Sequence, residues 1–474
     1  MSRLLVSAAH KSSGKTTIST GLCAALAASG LRVQPFKKGP DYIDPLWLGR
    51  AAGRPCVNLD FNTMSPREIR EAAGAHMAAA DLALIEGNKG LYDGLDLEGS
   101  NSNAALARLL EAPVVLVIDS RGMTRGVAPL LLGYQAFEPD IRIAGVILNR
   151  VGGARHGAKL RAVIEHYTDI PVLGLVSENP ALQILERHLG LVPSNEHTAA
   201  DRQIRTLAEA VAAEVDLATI ARLGADAPAL PVPSPPAIDA PGPPVRIAVA
   251  RDAAFGFYYT TDLEALERAG AELVFFDTIH DARLPDADAL FIGGGFPESQ
   301  MQALEANTPM REAIRLAIES GMPAYAECGG LMYLARGIAW DGRRSEMAGV
   351  LPGEITMHAR PQGRGLVRLQ ETGHGLWPLT GPAGEPGSFG AHEFHYSALE
   401  PLDEPPVYAY RVLRGHGVDG QHDGIVHRNL LASYSHLRHT AQNPWATRFV
   451  HFARTVMAGA DRATGDAPKK SLPI

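Results

Sequence analysis

Short apolar runs recur along the first half of the chain and alternate with stretches of helical periodicity. Residues 4–8, 31–36, 82–86, 114–119, 143–149 and 172–176 read as buried parallel strands, with helices over 18–29 and 104–110 between them. The second half repeats the pattern, with strands over 245–250, 273–276, 289–292 and 323–326 and helices over 261–269 and 310–320. Such alternation predicts an α/β fold in which a doubly wound parallel sheet places its ligands outside the carboxyl ends of the strands.

Between the halves the composition changes. Residues 224–244 are rich in proline and poor in anything to bury, and read as a semi-extended linker. The expected organisation is therefore a first domain over 1–223, a linker over 224–244, a second domain over 245–458 and a polar, frayed tail over 459–474. A chain of 474 residues is too long for one core, which agrees with two domains.

With 46% hydrophobic and 20% charged residues, the chain is an ordinary globular one. A formal charge of −8 without a long basic run excludes a general nucleic-acid binder. The start has neither the charged nor the apolar region of a signal peptide, and no apolar run approaches a membrane span. Three cysteines, Cys23, Cys56 and Cys328, make neither a disulfide framework nor a metal cluster, so the cytoplasm is the expected location.

The first predicted strand runs into Ala9-His10-Lys11-Ser12-Ser13-Gly14-Lys15-Thr16-Thr17 and then an apolar helix, the context of a phosphate loop. Backbone N–H groups at the helix start would cradle phosphates. Lys15 would reach the β- and γ-phosphates, and the Thr16 hydroxyl would face Mg²⁺. Ala9 stands where the usual first glycine would be. Glu86 and Asp119 end apolar strands beside this loop, where carboxylates suit Mg²⁺, although capping of a strand end is the plainer alternative. Asn149 is placed to read an adenine edge or simply to make a turn. The segment Lys37-Lys38-Gly39-Pro40-Asp41-Tyr42-Ile43-Asp44-Pro45 and the loop from Glu86 through Lys89 to Asp93 add acidic and basic groups at the same edge, either for a metal and an anionic substrate or as polar turns.

In the second half a strand leads into Glu327-Cys328-Gly329-Gly330 and a short helix, an elbow that exposes a nucleophile beside a free backbone N–H. Gly293-Gly294-Gly295 ends a neighbouring strand. The amides of Gly294, Gly295 and Gly329 are candidates for an oxyanion hole, a feature worth about 3–4 kcal/mol per donor. His436 is the candidate base, since the thiolate is the reactive form of cysteine. A lone cysteine is usually an inert core residue, but the elbow and the separate glycine run favour the nucleophile.

These residues resemble the cobyrinic acid a,c-diamide synthase family over nearly the whole chain. The resemblance rests on Lys37-Lys38-Gly39-Pro40-Asp41-Tyr42-Ile43-Asp44-Pro45, on Glu86-Gly87 with Gly90-Leu91-Tyr92-Asp93-Gly94, and on Arg187-His188-Leu189-Gly190-Leu191. It rests equally on Gly293-Gly294-Gly295-Phe296-Pro297-Glu298, Glu327-Cys328-Gly329-Gly330 and His392-Glu393-Phe394-His395-Tyr396-Ser397. It implies a dethiobiotin-synthetase-like P-loop ATP domain followed by a class I glutamine amidotransferase domain of the triad type. Cys328 would form a glutamyl thioester, with His436 raising its nucleophilicity. Asp41, Tyr42, Asp44, Glu86 and Asp93 would serve the synthetase site, and Lys37, Lys38 and Lys89 would steer a polyanionic substrate. For His392 and His395, support of the fold and chemistry are both open.

Three departures accompany the resemblance. Asn88-Lys89 replaces the usual small apolar pair, the loop after Asp93 is atypical, and Arg438 stands two after His436, where many class I amidotransferases carry glutamate. The first two resemble a sirohaem amidase offshoot of the family. The implied reaction is ATP- and glutamine-dependent amidation of the acetate carboxylates a and c of a cobyrinic or hydrogenobyrinic acid type tetrapyrrole through an acyl phosphate, with a shielded path for ammonia. The implied partners are that tetrapyrrole, L-glutamine, ATP and Mg²⁺, and a homodimer is the default assembly. A partition-type switch ATPase would carry a second lysine five residues before the loop lysine, a place held here by His10. A stand-alone amide hydrolase would leave the phosphate loop without a use.

Overall fold

The computed structural model describes residues 2–465 apart from 188–189, 197–198, 226, 231–241, 401 and 403. The chain forms two compact units, Met1–Pro235 and Pro236–Ile474.

In the first unit β1 (Ser2–Ala8), β2 (Val33–Lys38), β3 (Val57–Leu59), β4 (Leu82–Glu86), β5 (Val114–Asp119), β6 (Ile143–Val151) and β7 (Val172–Ser177) form one sheet in the order β3-β2-β4-β1-β5-β6-β7. Every pairing in it is parallel. Alternate residues of β1 feed opposite cores. Leu4 and Val6 pack with Leu22, Trp47 and Leu207, whereas Leu5 packs with Phe36, Ile85 and Leu116. Each such fully buried side chain is worth roughly 1.5–3 kcal/mol relative to exposure, so covering both faces fixes the sheet. The helices α1 (Lys15–Ala28) and α2 (Ile43–Ala52) follow β1 and β2 directly. Neither the helix over 43–52 nor β3 was expected; β3 is three residues long, too short for a periodic signal.

The second unit holds a nine-stranded sheet. Its parallel half runs Ala271–Phe276, Val245–Ala250, Ala289–Ile292, Ala324–Glu327 and Leu430–Ser433. An antiparallel half continues through His422–His427, Val407–Arg414, Gly363–Glu371 and Ser388–His395. Four of the five parallel strands match the expected elements to within two residues, and none of the antiparallel ones was anticipated. Their solvent-facing residues interrupt the apolar runs, as in Gly363–Glu371, where exposed Arg364 and Arg368 alternate with buried Val367 and Leu369. Behind the nucleophile strand Phe291 stacks on Tyr325 at 5.3 Å, and the Tyr325 ring meets Trp445 at 5.0 Å and Trp377 at 5.1 Å. The final helix, Trp445–Gly465, runs past residue 458 into the expected tail, of which 466–474 lie outside the described residues. Among the described residues no helix is long and apolar enough to cross a membrane.

Candidate active sites

At the carboxyl end of β1 the chain turns through Gly14, whose φ of 87° and ψ of 24° lie in the left-handed region. A β-carbon there would stand 2.1 Å from the Asn149 amide nitrogen, so only glycine fits. Asn149 Nδ2 donates to the Ser13 carbonyl at 3.0 Å. Its donor thus braces the loop. α1 starts at Lys15 without a side-chain cap, leaving its first N–H groups for an anion. Thr17 lies in the same first turn.

Lys15 Nζ donates to the Lys89 carbonyl at 2.5 Å, and Thr16 Oγ1 donates to Glu86 Oε1 at 3.0 Å. Glu86 is fully buried at the end of β4. Its Oε1 also accepts from Lys37 Nζ at 2.8 Å, while Oε2 has no hydrogen-bond partner among the described residues. Lys37 Nζ bridges onward to Asp44 Oδ2 at 2.5 Å. Burial pushes the Glu86 carboxyl up to about 7, against the pull of Lys37 and with help from Asp44. Burial and Asp44 likewise push Asp41 up to about 6, with Lys37 opposing.

An orphaned buried carboxylate oxygen beside the Thr16 hydroxyl is a hard-oxygen pair that fits Mg²⁺. That ion takes one or two carboxylates plus phosphate and water oxygens instead of an all-protein cage. The described residues contain no group of three or more His, Cys, Asp or Glu arranged to hold a metal. Asp119 ends strand β5, and its carboxylate accepts from Arg121 at 2.7 Å and Arg150 at 2.6 Å. Burial pushes its pKa up, but these two guanidinium groups outweigh burial and hold it at about 2.

The neighbouring groups form one network. Asp41 Oδ1 accepts from the backbone of Ile43 at 2.9 Å and Asp44 at 3.1 Å, so it holds the start of α2. Tyr42 is buried at that start. Lys38 Nζ donates to Asn88 Oδ1 at 3.0 Å. Lys89 adopts φ 40°, and the next amide, of Gly90, donates to Asp93 Oδ2 at 2.8 Å. Asn103, which sequence reasoning did not single out, fixes this loop by accepting from Asn88 N and donating to the Gly90 carbonyl. In and beside the Arg187–Leu191 motif, Glu186–Arg187 pairs antiparallel with Gly190–Leu191; its His188 and Leu189 lie outside the described residues.

In the second unit only Cys328 separates the strand Ala324–Glu327 from the helix Gly329–Leu334. Its φ of 47° and ψ of −101° are a conformation that side-chain-bearing residues rarely adopt, at a cost of about 1–3 kcal/mol. Cys328 N donates to Ser433 O at 2.7 Å and Met332 N to Cys328 O at 3.0 Å, which hold the elbow in place.

The imidazole of His436 hydrogen-bonds Cys328 and reaches Glu327 Oε2 from Nδ1 at 3.4 Å. Burial alone would lower its pKa. The hydrogen bonds to Cys328 and Glu327, with their charges, outweigh burial and push it up to about 10. Gly294, Gly295 and Gly329 meet at the same place. A β-carbon on Gly294 would lie 2.5 Å from His436 Cε1, and one on Gly329 would lie 2.9 Å from Gly295 N. His392 pairs its backbone with His436 in both directions, at 3.3 and 2.7 Å. His395 stacks on Tyr434 at 3.9 Å and bonds the Ser397 carbonyl at 2.8 Å, as a core residue does. Sequence reasoning missed Glu327 as the partner of His436; its one signal was a carboxylate closing a buried apolar strand.

A P-loop sheet and a Cys-His elbow on a second α/β sheet define a nucleotide-dependent glutamine amidotransferase. Residues 5–192 match the CobQ/CobB/MinD/ParA nucleotide binding domain, and residues 246–444 match the CobB/CobQ-like glutamine amidotransferase domain. The chain is 48% identical to a cobyrinate a,c-diamide synthase of Magnetococcus marinus, over 95% of this chain and 97% of that protein. It is 41% identical to the enzyme of the same name from Methanosarcina acetivorans, with 95% of each chain covered. A third, from Syntrophotalea carbinolica, is 42% identical over 95% of this chain and 98% of its own. The chain belongs to the cobyrinate a,c-diamide synthase family.

Proposed function

We propose that the chain amidates the peripheral acetate carboxylates a and c of a cobyrinic or hydrogenobyrinic acid type tetrapyrrole, using ATP and the ammonia of glutamine. The observation that carries this reading is full-length similarity, at 48% identity, to a protein bearing that name, with both reaction centres built on one chain. The names of the relatives do not favour the sirohaem alternative.

The Cys328 sulfur attacks the glutamine carboxamide carbon, and the oxyanion is met by amides of Gly294, Gly295 and Gly329. His436, holding a proton well above neutral pH, delivers it to the leaving nitrogen. Ammonia departs, and water cleaves the thioester to glutamate. In the synthetase half an acetate carboxylate of the macrocycle takes the γ-phosphoryl of ATP. Lys15 and the first amides of α1 bind the phosphates and offset the charge that develops on them. Thr16 and Glu86 would hold Mg²⁺, which supplies further charge neutralisation there. Lys38 and Lys89 orient the polyanion, with Asp41, Tyr42, Asp44 and Asp93 shaping its site; Lys37, expected to share that role, is instead buried between Glu86 and Asp44 and holds those carboxylates in place. Ammonia then displaces phosphate from the acyl phosphate and leaves the amide. Residues 1–223 would carry the synthetase and 245–458 the glutaminase, in a cytoplasmic protein, and a homodimer is the working assembly.

Product mass spectrometry tests the reading. The purified protein is given glutamine, ATP and Mg²⁺ with cobyrinic acid or with sirohaem in separate reactions. Two acid-to-amide mass changes on cobyrinic acid are expected. Change on sirohaem alone, or on neither with glutaminase intact, would overturn the substrate class.

A further inference from the structure

We infer that Glu327 is the positioning residue for His436, the third member of the thiol site, supplied by the residue that precedes the nucleophile. The inference rests on the amidotransferase reading of Cys328 and His436.

The position two after His436 holds Arg438, which cannot accept from an imidazole. Arg438 turns elsewhere, with Nε 3.7 Å from Asp262 Oδ1 and its guanidinium 4.2 Å from the centre of the Tyr259 ring. The carboxylate facing the imidazole comes from the end of the nucleophile strand instead. Glu327 Oε2 lies 3.4 Å from His436 Nδ1, while the Tyr325 hydroxyl at 2.5 Å and the Leu437 amide at 2.9 Å donate to Oε1.

Both donors hold the same oxygen, Oε1, which leaves Oε2 to face the imidazole. The Tyr325 ring is locked between Phe291 and Trp445, and Leu437 is the residue after His436 itself. Base and carboxylate are therefore registered by one backbone amide as well as by their own contact. Nδ1 directed at Glu327 leaves Nε2 as the nitrogen for Cys328, the tautomer and ring orientation a general base needs.

Electrostatics give the arrangement its sign. Glu327 is 4% exposed, and among the described residues His436 is the sole basic side chain ion-paired with it. A buried carboxylate is costly unless a partner compensates it, so it favours the imidazolium in return. The other titratable groups around His436 are Cys328 on the elbow and His392 and His395 on the neighbouring strand. Burial pushes both of these histidines down to about 3, so they are neutral and cannot hold the proton in its place.

The test is the pH profile of glutaminase kcat in the full chain, comparing wild type with Glu327→Gln and Glu327→Asp. Glutamine is close in shape and can still accept from Leu437, but it lacks the charge. Its kcat is expected to fall by at least roughly tenfold, with KM changed by less than about threefold, as expected when a group acts on the reacting state. The alkaline limb, expected near 10 in wild type from the raised His436 value, should move down by roughly one unit or more when the neighbouring charge is removed. Glu327→Asp, with the charge on a shorter arm, recovers part of both effects. Unmoved kcat and an unmoved limb in a folded Glu327→Gln protein would overturn the inference. If that variant does not fold, the limb of Glu327→Asp decides: displaced downward it supports the role, and unmoved it removes it. Failure of the underlying reading would look different, because Cys328→Ser would then leave glutaminase intact.

Discussion

Gly294 and His436 are in such close contact that a β-carbon on the glycine would stand 2.5 Å from the imidazole Cε1. The glycine run at the end of the neighbouring strand thus sets the position of the base as well as offering amides to an oxyanion. Gly294→Ala is expected to push the imidazole off line and lower glutaminase kcat by about 10²-fold, the cost of a displacement near 1 Å in a catalytic group. Thermal unfolding should change little by comparison. Steady-state kinetics of an alanine variant whose melting temperature matches wild type would reveal the effect, and full activity in that variant would contradict it.

Cys328 and the phosphate loop lie in separate compact units, so the two half-reactions should separate by mutation. Cys328→Ser is expected to lower glutamine-dependent amidation by roughly 10⁴-fold or more, as loss of a nucleophile does elsewhere. Amidation driven by added ammonium salt should persist near the wild-type rate. Loss of the ammonium-driven reaction as well would mean that the thiol also serves the synthetase chemistry.

Thr16 and Glu86 form the other separable pair. Thr16→Ala removes the hydroxyl next to the unpartnered Glu86 oxygen and should lower ATP-dependent amidation by about 10–100-fold. Raising Mg²⁺ should restore part of the rate, and glutaminase measured without ATP should be unchanged. A loss that no concentration of Mg²⁺ relieves would point to the phosphates instead of the ion.

The His436 proton also couples folding to pH. The ordinary value is 6.5 and the folded value is raised to about 10, so folding is favoured by proton binding at this group. That contribution is fully present below pH 6.5 and is lost as pH rises through about 10. The difference in melting temperature between wild type and His436→Gln should therefore be largest at acidic pH and close on the alkaline side. A difference that widens toward pH 10 would have the opposite sign and require a lowered value.

The sequence was most legible where burial is continuous. β4 and β5 have the expected limits because every residue of Leu82–Glu86, and all but Asp119 in Val114–Asp119, is buried, so an apolar run ends where the strand ends. The antiparallel strands carry charged residues on one face and hid for that reason. Local motifs identified Gly14, Lys15, Cys328 and the glycine run, because turns and close approaches demand particular residue types. Partners separated by more than a hundred positions, such as Glu327 and His436, follow from sheet order, which a single sequence does not encode locally. Asp41 is intermediate: its place beside Lys37 was readable, but its capping of α2 needed the helix itself.

The elbow around Cys328 is walled by main chain from several segments. β-carbons on Gly295, Gly329 and Gly330 would meet the Ala254 carbonyl, the Gly295 amide and the Ile292 carbonyl, at 1.9, 2.9 and 2.2 Å. Peptide groups are common to every sequence, so a nucleophile framed by them is insulated from drift in the side chains nearby. The thiol keeps its place whichever side chains stand around it.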